Sequence, residues 1–168
     1  MKNVMYYIAS ASSNRNDYVP HIHKLIQDGV DGTELVLDWP KMANLFQESK
    51  DAGEFKDKDD EDIARKSIRN MEIQAILNSD IMIVALPGGN GTHFEYGFAT
   101  GISLMTSVRP RIVVYAPSAS FIQGDLGHFV GLDGTVVIVG DEKKLVDAVS
   151  KIKSEINSKR LSISGVIQ

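Results

Sequence analysis

The chain has 168 residues, 43% of them hydrophobic and 24% charged, with a net charge of −4 and no cysteine. That length suits one domain with a sizeable core. The acidic balance argues against a general basic surface for nucleic acid, and the lack of cysteine removes disulfides, thiolate catalysis and cysteine–zinc sites together. The first apolar run, VMYYIA, is far too short to span a bilayer and carries no signal-peptide pattern, so a cytoplasmic protein without a membrane partner is expected.

In chain order, NVMYYIAS (3–10) reads as a first strand, buried on both faces because its apolar residues do not alternate. DYVPHIHKLIQDG (17–29) reads as a helix with Asp17 as N-cap, Pro20 in the first turn and Gly29 as its stop. His21 and His23 lie two apart on it, face different sides, and cannot chelate a metal together. TELVLD (33–38) is a second strand. The piece from Trp39 to Lys58 has no clear period, and Trp39 is either a wall of a binding site or core. The acidic run DKDDEDIARK reads as a solvated helix start. In the following helix, 61–80, apolar residues at 63, 68, 71, 75 and 76 predict one buried stripe. IMIVALP (81–87) is a central strand and THFEYGFATGISLM (92–105) the helix after it. RIVVYAP (111–117) and TVVIVG (135–140) are further strands, and a last amphipathic helix runs from Asp141 over 141–159. This alternation predicts a single α/β domain: a doubly wound, mostly parallel five-stranded sheet with helices on both faces, flavodoxin- or Rossmann-like. Such sheets bind ligands beyond the carboxyl ends of their strands.

One of those ends carries the stretch ALPGGNGTHFEYGFATG, residues 85–101. A glycine-rich turn between strand and helix exposes backbone N–H groups beside a positive helix end and suits an anion such as phosphate. Its glycines, Gly88, Gly89 and Gly91, permit positive φ and close backbone approach. The spacing matches neither G-x-x-x-x-G-K-[ST] nor G-x-G-x-x-G. Thr92 and Glu95 form T-x-x-E, which is a capping box on its own terms. That box accounts for neither the glycines nor the proline before it. A carboxylate at the floor of a phosphate-and-sugar pocket can instead attack C1′ of a nucleoside, as the nucleophile of a retaining glycosidase does.

These residues resemble the nucleoside 2-deoxyribosyltransferase-like superfamily, which includes 2′-deoxynucleoside 5′-monophosphate N-glycosidases. The similar segments are YYIAS, ILNSD, IMIVAL, GTHFEYGFA and GTVVIV with its helix. The most specific is G-[ST]-x-x-E-x-G-x-A, matched by Gly91, Thr92, Glu95, Gly97 and Ala99. The resemblance implies that Glu95 is the nucleophile and that Tyr6 is the active-site tyrosine. It places Ser10 in the loop contacting the sugar or its phosphate. The family's second acid is an aspartate where this chain has Glu72, the implied proton donor to the base. The transferases also carry an aspartate at the place of Gly89, and its replacement favours a phosphate-bearing ligand. A loop near GDLGHFVG (124–131) reaches the neighbouring subunit's pocket in the family, with His128 the nearest match to its contacting residue. A homo-oligomer with shared sites is therefore implied.

Pro87 to Glu95 also spell P-G-G-x-G-T-x-x-E, the signature of the cytokinin-activating phosphoribohydrolases known as the lonely guy family. That family's motif continues with a second glutamate where this chain has Tyr96. Arg15 is a candidate phosphate partner in the loop after the first strand. His93 either lines the pocket or is exposed on the first turn. The expected chemistry is cleavage or transfer at the N-glycosidic bond of a nucleoside or nucleotide. It requires a nucleophile and an acid, with no metal and no organic cofactor. A catalytically idle nucleotide-sensing module on the same scaffold is the alternative.

Overall fold

The computed structural model describes residues 2–106, 110–125 and 135–165. Five strands, β1 (Val4–Ala9), β2 (Thr33–Leu35), β3 (Ile81–Ala85), β4 (Arg111–Ala116) and β5 (Val136–Val139), form one sheet in the order β2-β1-β3-β4-β5. Every pairing is parallel, so the doubly wound expectation holds and sharpens from mostly to wholly parallel. The central strands read as unbroken apolar runs because helices cover both faces: all five residues of β3 are buried. The edges are less buried, and β5 has no fully buried residue.

The helices are α1 (Tyr18–Gly29), α2 (Trp39–Asp51), α3 (Lys58–Asn78), α4 (Asn90–Thr106), α5 (Ala119–Asp125) and α6 (Glu142–Gly165), with a short 3-10 turn at Ser12–Asn14. Helices α1 and α6 pack together, as do α3 and α4, and the two pairs lie on opposite faces of the sheet. Consecutive residues of β1 show the division. Tyr6 reaches His23 on α1, while Tyr7 reaches Glu95 on α4.

Several boundaries differ from those expected. The stretch without a clear period is α2, started by Asp38, whose carboxylate accepts from the Lys41 N–H at 3.2 Å. The second strand stops at Leu35, three residues early, as the chain turns toward that cap. Asp57 caps α3 through the Asp60 N–H, and Asp59, Asp60 and Glu61 fill its first turn, where the helix dipole favours acids. Asp141 caps α6 as expected, whereas Asp17 precedes α1 without a side-chain cap bond. The buried stripe of α3 is confined to its last turns. Ala75 and Ile76 are buried, but Ile63 is 63% and Met71 45% exposed. Among the described residues, no helix is long and apolar enough to cross a membrane.

Candidate active site

The glycine turn leaves the carboxyl end of β3, next to β1, at the point where the strand order reverses direction. The first intrahelical bond of α4 runs from the His93 N–H to the Gly89 carbonyl, so Gly89, not Thr92, is the N-cap. Thr92 lies within the first turn and its hydroxyl accepts from the Gly89 N–H at 3.1 Å. The capping box is therefore not formed as T-x-x-E: Glu95 is one turn further on and takes no part in it. None of Gly88, Gly89 or Gly91 has positive φ; among the described residues the glycines that do are Gly32, Gly53 and Gly140. At Gly88, space rather than backbone freedom explains the glycine. A Cβ on Gly88 would sit 3.1 Å from the Thr92 side chain. One on Gly91 meets no atom within 4 Å and would project into open space.

Glu95 is 8% exposed and accepts a 2.6 Å hydrogen bond from the Tyr7 hydroxyl. Burial pushes its pKa up to about 8; the Tyr7 hydrogen bond pulls it down and the charge of Glu72 pushes it up. The Tyr7 hydroxyl is itself raised well above its ordinary value by burial and by Glu95. Glu72 is half-buried and also raised by burial, against the lowering influence of the Arg69 charge. Burial thus shifts both carboxyls of one cavity toward their protonated forms.

Both carboxyls line a cavity of about 590 Å³, a volume suited to a small organic ligand. Its other lining residues divide by chemistry: Ser10, Ala11, Ser12 and the segment Gly89–Thr92 are small or polar, Trp39, Ile73 and Phe94 are apolar or aromatic, and Arg69 adds a cation. The loops of the first set are tied together. Ser10 donates to the Ala85 carbonyl at 2.7 Å, and Asn14 donates to both the Ser10 hydroxyl and the Pro87 carbonyl. Asn14 thereby joins the ends of β1 and β3, a contribution that sequence reasoning missed. Trp39 fulfils both of its readings: it lines the cavity, and its indole N–H donates to the Ile8 carbonyl at 2.7 Å while the ring is buried.

The structure therefore brings together Glu95, Glu72, Ser10, Gly89, Gly91 and Thr92. It separates three others. Tyr6 lies on the opposite face of β1, where its hydroxyl meets His23 Nδ1 at 2.6 Å, because the strand places only every second residue on the cavity side. The tyrosine that touches Glu95 is Tyr7. Gly88 packs under Thr92 and is not a wall of the cavity. Arg15 lines a separate shallow groove with Asn16, Asp38 and Lys41. His128 lies outside the described residues. His93 does not line the cavity, and its Nε2 is buried with no partner among the described residues. His21 pairs with Glu142 at 2.8 Å, and no cluster among the described residues could hold a metal ion.

No protein-family model matches the chain, and no curated protein matches it.

Proposed function

We propose that the protein belongs to the class of α/β enzymes that break N-glycosidic bonds, and that it acts as a nucleoside 2-deoxyribosyltransferase-like glycosidase or transferase on a (deoxy)nucleoside or its 5′-monophosphate. The carrying observation is the buried Glu95, held by a hydrogen bond from Tyr7 and lining one cavity with Glu72 and the start of α4. The Glu95 carboxylate attacks C1′ as the C1′–N bond breaks, and the electron pair of that bond passes to the departing base. Glu72 gives its proton to the base. Water or a second base then attacks C1′ of the glycosyl ester and releases Glu95, while Glu72 takes the proton back. The first-turn N–H groups of α4 face the 5′ end of the ligand, and Trp39, Ile73 and Phe94 enclose the base. Tyr96 is core, 3% exposed, so the second glutamate of the lonely guy signature has no counterpart here and supports that alternative less.

A homo-oligomer belongs to this reading. Its support is the apolar surface of α3 and α4, where Ile63, Met71, Phe94, Leu104 and Met105 are all exposed. A cytoplasmic location goes with it.

A nucleotide-binding module without turnover is the second reading. The burial of Glu95, 8% exposed, favours it, because burial raises the pKa to about 8 and so holds back the carboxylate form that a nucleophile needs. Incubation with purine and pyrimidine nucleosides and monophosphates, with and without an acceptor base, separates the two. Chromatography should show free base or exchanged nucleoside from the wild type, with Glu95→Gln slower by roughly 10³-fold or more. Tight binding with every glycosidic bond left intact would establish the binding module instead.

A further inference from the structure

Arg69 stands at the same cavity and has no place in the chemistry above. It lies on α3 three residues before Glu72, so the two side chains are neighbours on one helix face. Arg65 pairs with Glu61, Arg111 with Glu155 and Arg160 with Asp80, while Arg15 lines the separate groove. Arg69 makes no hydrogen bond or ion pair among the described residues, and its side chain is exposed at the cavity wall. A guanidinium offers five donors and no acceptor. Whatever it meets in the cavity must therefore present acceptors.

The position of Arg69 determines which part of the ligand that is. The backbone N–H groups suited to an anion come from Ser10–Ser12 and Gly89–Thr92, whereas Arg69 shares α3 with Glu72 and Ile73, the acid and the apolar side chain that the reading above assigns to the base. We infer that Arg69 selects the base of the ligand, favouring a 6-oxopurine over a 6-aminopurine. With Glu72 donating to N7, its neighbour on the helix donates to the adjacent O6. In a 6-aminopurine that exocyclic position carries N–H groups, which would face the donors of the guanidinium with no acceptor between them. Arginine is thus matched to the N7/O6 edge and mismatched to the N7/N6 edge. The inference rests on the glycosidase reading for the orientation of the ligand, but a preference in binding can be measured without any cleavage.

The test uses 2′-deoxyinosine and 2′-deoxyadenosine 5′-monophosphates, which differ in base at position 6, together with the two phosphate-free nucleosides. Calorimetric titration and turnover are both recorded for the wild type, Arg69→Lys and Arg69→Gln. The wild type should prefer the inosine compounds by about tenfold to a hundredfold, the range of one good base-edge contact. Arg69→Lys retains part of that preference. Arg69→Gln, whose amide oxygen accepts from N6–H, should abolish or invert it. The ratio should be the same with and without the phosphate. A wild-type preference under twofold, or a ratio unchanged by Arg69→Gln, overturns the assignment while leaving cleavage intact. A loss on Arg69→Gln confined to monophosphates also overturns it, by placing the phosphate rather than the base at Arg69. A preference in binding without any bond cleavage would instead leave Arg69 as the selector and overturn the glycosidase reading.

Discussion

The Tyr7 hydroxyl and the Glu95 carboxylate meet at 2.6 Å in a place where water is largely excluded, so each controls the state of the other. Removing the hydroxyl removes the interaction that lowers the Glu95 pKa. Tyr7→Phe should therefore shift the acid limb of the pH–rate profile to higher pH and reduce kcat/KM about 10- to 100-fold. That range corresponds to a charge-assisted hydrogen bond. Tyr6→Phe, on the other sheet face, should leave the profile in place, and equal effects of the two variants would remove Tyr7 from the site. The same burial has a signed consequence for stability. Glu95 keeps its proton in the folded chain up to about pH 8 but loses it near 4.5 when unfolded, so stability falls as pH rises through that window. Glu95→Gln removes this dependence. Its melting temperature should exceed that of the wild type at pH 9 and match it at pH 5; a constant difference at both would contradict the raised pKa. At this scale the sequence was legible for the convergence of Glu95 and Glu72, which line one cavity. It was not legible for the tyrosine. A strand buried on both faces gives no alternation to tell which of Tyr6 and Tyr7 faces the ligand.

Elements entering the site are held by contacts far from it. Asp80, just before β3, is 3% exposed; it accepts from the Met5 N–H at 2.9 Å, and Arg160 Nη2 of α6 donates to both its carboxylate oxygens at 2.9 and 2.7 Å. One side chain thus links β1, β3 and α6 at the amino ends of the strands. Asp80→Ala should lower unfolding free energy by about 3 kcal/mol in urea titration, because it strands a buried N–H and a partly buried guanidinium. Arg160→Leu should cost less, since Asp80 keeps its backbone partner. Catalysis per folded molecule should survive both, and a loss of turnover without loss of stability would move Asp80 into the site. The five strands and the helices α1, α3, α4 and α6 were legible because the parallel strands are continuous apolar runs and Asp57 and Asp141 are local cap signals, whereas α2 and α5 were not. The start of α4 was misjudged by more than a frayed end. A threonine followed by x-x-E has the pattern of an N-cap, yet the glycine turn lets the helix begin earlier, from Gly89. The exposed start of α3 was unreadable for a different reason: an apolar stripe signals burial only if something lies against it.

On the scale of the whole molecule, the order β2-β1-β3-β4-β5 places the ends of β1 and β3 side by side, so Ser10 and the glycine turn converge without any long loop. The exposed apolar residues of α3 and α4 predict self-association. Light scattering should give at least twice the mass of the chain, and Leu104→Glu with Met105→Glu should reduce it; a monomeric wild type would contradict the shared-site reading. The central claim, covalent catalysis by Glu95, is tested most directly by trapping. A 2-fluoro-arabinosyl nucleotide, whose fluorine slows hydrolysis of the ester more than its formation, is incubated with the protein and the products are mapped by peptide mass spectrometry. A glycosyl adduct on Glu95, formed as free base is released and absent from Glu95→Gln, is the predicted result. Base released with no adduct at any time, or an adduct on another side chain, would contradict it.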